Sequence, residues 1–265
     1  VIVHVPASYT AIDQVALVLN MHGSGSTAAE QELFSGMDTE SETAGFIVAY
    51  PQALVPSGSG FDWNIPGVVF APAARPPAHP ADDMAFLTQL VPVLEHRYCI
   101  SPTHVYVTGF SGGARMASQL ACNDSNIFAA VAPVSGLRWP DPCPSVRSVS
   151  ILSFHGTADP IDPYRGHGQS YWTYSVPQAA RDWAGQDDCR ATPRTSSPDP
   201  GVTLTRYVGC PARTTVELYT IAGEGHEWPG GPMLRPLVTR ILGPQSDAVD
   251  ADAVMWAFFK AHPLT

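Results

Sequence analysis

Residues 104–122 read HVYVTGFSGGARMASQLAC, an apolar run of strand length that enters a glycine-crowded turn and leaves it with helical character. A strand and a helix joined this abruptly leave little freedom. The turn must be sharp, its flanking residues must lack bulk, and the helix must fold back onto the sheet that holds the strand. The rest of the chain repeats the theme. Strands are expected at VALVLNMHG (15–23), GFIVAYP (45–51), FAAVAPVSG (128–136), VSILSFHG (149–156) and, last, TTVELYTIAG (214–223). Helical spacing is read over 28–44, 82–97, 112–122 and 252–262, with Asp82 and Asp83 placed to favour a helix dipole at the start of the second. Alternation of this kind predicts an α/β fold, with a mostly parallel central sheet and helices on both faces. The stretch 52–80 carries Gly, Pro and Ser without periodicity and reads as a long surface excursion. With 265 residues and no linker, repeat or low-complexity tract, one domain over 1–265 is expected.

Charge narrows the partners. The formal net charge is −10 and Lys260 is the sole lysine, so nucleic acid and anionic lipid are repelled and a neutral or weakly charged substrate is favoured. No apolar run approaches the roughly 20 residues that a membrane span requires. The sequence opens directly on VIVHVP, so any signal peptide is expected to have been removed. Five cysteines stand at 99, 122, 143, 189 and 210, none in C-x-x-C spacing. Two local pairs suggest themselves, Cys122 with Cys143 and Cys189 with Cys210. Each would close a loop worth about 3 kcal/mol in the chain-entropy view, and the alternative is five reduced thiols. Cys99 is left over.

The chemistry centres on Gly109-Phe110-Ser111-Gly112-Gly113, a G-x-S-x-G between strand and helix. The turn lifts a serine hydroxyl above the sheet beside a helix N-terminus, where developing negative charge is favoured. Serine needs a base. Of the nine histidines, His226 in AGEGHEWPGG lies in a glycine-rich loop just past the last sheet strand. His22 and His155 are followed by glycine at tight turns and read as loop-shaping, and His167 is a weaker competitor. An acid should orient the imidazole, in the chain order Ser, Asp, His. Asp159 in HGTADPID follows the 149–156 strand, with Asp162 as its rival. Two backbone donors for an oxyanion are expected at Gly112 and at Ser24, in the loop His22-Gly23-Ser24-Gly25. Trp63 and Trp228 are candidate substrate contacts, with Tyr171, Trp172 and Tyr174 forming a further aromatic cluster. Neither a metal nor an organic cofactor is required by such a set.

The segments LNMHGSGST, DDMAFL, VYVTGFSGGARMASQLAC, FHGTADPIDPY, TRYVGC and GEGHEWPGG, in that order and across most of the chain, resemble the polyhydroxybutyrate depolymerase / feruloyl esterase family, carbohydrate esterase family 1-like. The resemblance implies an α/β-hydrolase fold and a catalytic Ser, Asp and His at positions matching Ser111, Asp159 and His226. It also implies secretion and supports the two disulfides. Many depolymerase-like members carry cysteine where Ser24 stands. Because the donor there is a backbone N–H, the difference should not remove function. The family spans plant cell-wall esters and microbial polyesters. Without a polymer-binding module in the sequence, the expected substrate is a feruloylated polysaccharide, followed by a short-chain polyester and then acetylxylan. A serine peptidase and a non-catalytic binding protein on the same scaffold are the remaining readings.

Overall fold

A computed structural model describes residues 1–232 and 240–264. Its centre is a nine-stranded sheet in the order β1-β3-β2-β6-β7-β8-β11-β10-β9. The strands are β1 (Ile2–His4), β2 (Val15–Met21), β3 (Ile47–Tyr50), β6 (Ile100–Phe110), β7 (Ala130–Val134), β8 (Ser150–Gly156), β9 (Arg194–Ser196), β10 (Val202–Tyr207) and β11 (Val216–Ile221). Pairing is parallel from β3 through β2, β6, β7 and β8 to β11, and antiparallel where β1 joins β3 and where β10 and β9 extend β11. The central strands are apolar on both faces, as helices on either side demand.

Alternation along β2 shows the two layers. Leu17, Leu19 and Met21 enter one core with Leu87 and Leu94 of α3 (Asp83–Arg97), Met116 and Leu120 of α4 (Gly112–Asn123) and Trp183 of α5 (Val176–Gln186). Ala16 and Val18 face the other core, with Ala28 of α1 (Ala28–Ser35), Met37 of α2 (Met37–Ala44) and Met255 and Phe259 of α6 (Ala251–Ala261). Helices therefore cover both faces. Side-chain acceptors open several of them: Thr27 caps α1, Asp82 caps α3, Ser175 caps α5 and Asp250 caps α6.

Two expectations need correction. The single helix read over 28–44 is two, because Gly36 takes the left-handed conformation (φ 69°) and its N–H closes onto the Glu32 carbonyl, ending α1. The stretch 52–80 is not a surface excursion throughout. It forms the hairpin of β4 (Val55–Ser57) and β5 (Gly60–Asp62), and it sends Trp63 and Ile65 into the core. β1, α5, β9 and β10 stand outside the elements expected from the sequence. The strands among these are short or lie at the antiparallel ends of the sheet, where polar exposed residues blur the apolar signal.

Both suggested disulfides are formed, and Cys99 is a free, partly buried thiol. Cys122–Cys143 ties the end of α4 to the loop after β7, and Cys189–Cys210 ties the segment after α5 to the end of β10. Replacing Cys122 and Cys143 together by alanine should remove about 3 kcal/mol. Thermal unfolding followed by circular dichroism should then show Tm lower by about 5–10 °C. An unchanged Tm would mean that the bridge constrains nothing that unfolding releases.

Candidate active site

The sharp turn after β6 is enforced by backbone contact. A Cβ on Gly109 would stand 2.7 Å from the Gly113 carbonyl carbon and 2.8 Å from the Met21 oxygen, and one on Gly113 would stand 2.3 Å from that same oxygen. Only glycine lets the start of α4 lie against the end of β2. Between them Ser111 takes φ 53° and ψ −110°, a conformation that an L-residue holds only when its surroundings impose it. Its N–H donates to the Val134 carbonyl and its own carbonyl accepts from Arg115 N, which fixes the peptide on both sides.

The two other residues of the expected set arrive from neighbouring strands. Asp159 stands three residues past β8 and His226 five past β11, and these strands pair in parallel so that their C-terminal ends lie side by side. His226 Nδ1 lies 2.7 Å from Asp159 Oδ2. The other oxygen, Oδ1, accepts from the Ile161 and Asp162 amides at 2.8 Å each. An ionised carboxylate can only accept, so Nδ1 carries the proton and the neutral ring keeps its lone pair on Nε2. The ring rests on Phe110, with centroids 4.7 Å apart, and its backbone N–H is held by the Leu242 carbonyl. Ser111 and His226 line one cavity of about 850 Å³, walled also by Phe34, Ile161, Tyr171 and Arg115. All three residues of the set are largely buried.

Asp162 goes elsewhere. Its Oδ2 lies 2.6 Å from Arg115 Nη1 in a buried ion pair, and its carbonyl accepts from His155 Nε2. His155 is more than a loop-shaping residue, for the same Nε2 stands 3.2 Å from Asp159 Oδ2. Asp159 thus has imidazoles on two sides, a feature that its sequence neighbours do not signal. His167 is exposed and stands apart from the cavity.

The loop after β2 is tightly held. His22 is buried, its Nδ1 donating to the Gly23 carbonyl while Nε2 accepts from Ala53 N. Burial pushes its pKa down to about 4, so the ring is neutral in that tautomer. A Cβ on Gly112 would lie 3.0 Å from Ser24 N and 2.4 Å from Ser24 Oγ, so the two expected donor residues are packed together beside Ser111. Among the described residues neither the Ser24 nor the Gly112 amide donates a hydrogen bond to the protein.

The two tryptophans are corrections. Trp63 is 2% exposed and donates its indole N–H to the His22 carbonyl, and Trp228 is fully buried with its indole N–H on Asp252 Oδ1. Neither lines the cavity. The apolar bulk that suggests a substrate contact is equally what fills a core, and here the core claims it. Of the other aromatic cluster, Tyr171 reaches the cavity and stacks on the Arg115 guanidinium at 4.5 Å, whereas Trp172 is buried against His155. Among the described residues, no group of three or more His, Cys, Asp or Glu side chains could hold a metal ion.

No protein-family model matches the chain. Its fold is that of solved esterases: an acetyl xylan esterase from Aspergillus awamori superposes with a TM-score of 0.59 at 17% identity, over 85% of this chain and 88% of that one. Esterase PE8 gives 0.59 at 16%, over 99% and 100%. The strand order and these superpositions give the fold as that of the α/β-hydrolases. Among curated proteins, the provisionally named esterase NocK of Nocardia uniformis subsp. tsuyamanensis is 30% identical over 256 residues, 88% of this chain and 72% of that protein. The chain therefore belongs to NocK's esterase family and is a carboxylic ester hydrolase. Feruloyl esterase B of Piromyces equi and poly(3-hydroxyalkanoate) depolymerase C of Paucimonas lemoignei are each 27% identical, covering 88% and 86% of this chain. The matched region spans only 43% and 58% of those two proteins.

The electrostatics carry two predictions. Burial alone would lower the His226 pKa, but the charge of Asp159 and its hydrogen bond raise it above the ordinary histidine value. Asp159, whose burial opposes ionisation, is held well below the carboxylate range by His226 and His155. If neutral His226 is the working form, kcat/KM should be lost as pH falls through an apparent pKa above 6.5. Asp159→Asn should move that limb to lower pH and reduce kcat by about 10⁴. A wild-type profile flat from pH 5 to 8 would contradict this. In the same loop, burial pushes Glu227 up to about 7 and Glu224 up to about 8. Both keep protons in the folded state that they release when unfolded, so their contribution to stability is fully present below about 4.5 and is lost as pH rises toward 8. Glu224→Gln should flatten the decline of Tm between pH 5 and 8, and an unaltered slope would show that Glu224 does not contribute to it.

Proposed function

We propose that the protein is a secreted feruloyl esterase, releasing hydroxycinnamic acids from plant cell-wall polysaccharide through a Ser111 acyl-enzyme. The observation that carries this reading is the 2.7 Å Asp159–His226 hydrogen bond, which fixes the imidazole in the cavity that Ser111 lines. His226 Nε2 takes the Ser111 proton as Oγ attacks the ester carbonyl. The Ser24 and Gly112 amides receive the oxyanion. His226 then returns the proton to the departing alcohol, and water repeats the sequence on the acyl-enzyme to release the acid and restore Ser111.

The cavity suits an aromatic acyl group. Phe34, Phe110 and Tyr171 line it, and the volume matches that of a small-molecule site. Similarity to feruloyl esterase B supports the same substrate class. Two disulfides favour an oxidising compartment, and no described helix is long and apolar enough to cross a membrane. A second reading, hydrolysis of a short-chain polyester, is favoured by Leu33 and Ile241. These line the cavity yet are 74% and 62% exposed, as a rim touching an apolar polymer would be.

Release of free acid should be measured from methyl ferulate beside p-nitrophenyl butyrate and a polyhydroxybutyrate suspension. Efficient ferulate release, lost by at least about 10⁴-fold in a folded Ser111→Ala protein, is expected. Activity on butyrate and polymer without ferulate release would move the substrate to the polyester branch. Substantial turnover by Ser111→Ala would remove the nucleophile from the scheme.

A further inference from the structure

The segment Phe61-Asp62-Trp63 grips the loop 22–26 at every residue but one. Trp63 Nε1 donates to the His22 carbonyl at 2.8 Å. Asp62 Oδ1 accepts from Ser24 Oγ at 2.6 Å. The Phe61 carbonyl accepts from Gly25 N at 2.8 Å, and Phe61 N donates to the Ser26 carbonyl at 2.9 Å. Approach is so close that a Cβ on the neighbouring Gly60 would lie 2.4 Å from the Ser26 oxygen. Asp62 is itself immobilised. It is 3% exposed, Oδ1 also accepts from Trp63 N at 3.0 Å, and Oδ2 accepts from Ala71 N at 2.9 Å.

We propose that Asp62 is a positioning residue for ester hydrolysis, acting through the Ser24 hydroxyl to hold the Ser24 amide where the oxyanion forms. The proposal rests on the reading of Ser111 as nucleophile and of the Ser24 amide as an oxyanion donor. The Ser24 hydroxyl lies in the space that a Gly112 side chain would take, 2.4 Å from its Cβ position. It therefore bridges from Asp62 to the turn that carries Ser111. An amide aimed in advance stabilises the developing charge without reorganising at the moment of reaction, and a misplacement of about 1 Å can cost on the order of a hundredfold. Asp62 touches neither Ser111 nor His226, so through the Ser24 amide its effect falls on the tetrahedral state, while its Oδ2 separately holds Ala71 of the cavity wall.

The experiment compares Ser24→Ala, Asp62→Asn and Asp62→Ala with the wild-type protein, on p-nitrophenyl butyrate and with an alkyl boronic acid as a tetrahedral mimic on Ser111. For Ser24→Ala, kcat should fall about ten- to hundredfold with KM within about twofold, and boronate affinity should weaken in proportion to kcat/KM. Asp62→Asn keeps an acceptor for the hydroxyl and should retain most of kcat, whereas Asp62→Ala should lower kcat as Ser24→Ala does. If Asp62→Ala fails to fold, Ser24→Ala and Asp62→Asn decide alone. Wild-type kcat and boronate affinity in Ser24→Ala would overturn the proposal, as would a loss confined to Tm. Ser111→Ala is the separate control. If that protein still turns over ester or binds boronate, the nucleophile reading fails, whatever Asp62 does.

Discussion

The close approach of two backbones organises this molecule. Where β6 ends, Gly109 and Gly113 let the first turn of α4 touch the carbonyl oxygen that closes β2. No side chain could stand there, and the contact sets the distance between the central strand and its neighbour, the direction of α4 and the position of the loop that leaves β2. Ser111 sits at the crest in a backbone conformation costing on the order of 1–3 kcal/mol, so the surrounding packing must over-determine it. That packing is available because the crest is flanked by predominantly apolar strands covered on both faces. The site lies above the carboxyl ends of the parallel strands, where β6, β8 and β11 each deliver one residue into a common space.

The sequence made the inner part of this arrangement readable. The central strands are continuous apolar runs, the glycines of 109–113 have a steric purpose that a pattern reveals, and the order Ser, Asp, His follows from strand succession. What the pattern could not convey was side-chain destination. Trp63 and Trp228 are bulky and lie near suggestive motifs, yet both place the ring in the core and give the indole N–H to a buried acceptor. Asp159 and Asp162 stand three positions apart in one loop, and only the fold shows that the second is taken by Arg115. The clamp on the loop after β2 was equally hidden, since β5 is three residues long and lies in a stretch without periodicity. Hydrogen bonds spanning about forty residues leave no local signature.

The carboxyl groups around His226 divide by environment. Asp159 accepts from two backbone amides and faces two imidazoles, so ionisation is favoured despite burial. Glu224 and Glu227, one or two residues from the same ring, are buried among few donors and are pushed toward the neutral form. One short segment thus carries acids of opposite character, and the donors within reach, rather than residue type, decide which of them is charged.

The hairpin that clamps the loop after β2 has another side. Ser59 and Ala71 of the same segment line the cavity, and the Ala71 amide is held by the very carboxylate that holds Ser24. The wall of the cavity and the brace behind the Ser24 amide are therefore one mechanical part. A change in this wall that broadens the range of esters accepted would transmit strain through Asp62 to the amide. In this lineage, adaptation to new substrates through that segment would be coupled to turnover, and the route of least resistance to a new acyl preference runs through the opposite wall of the cavity.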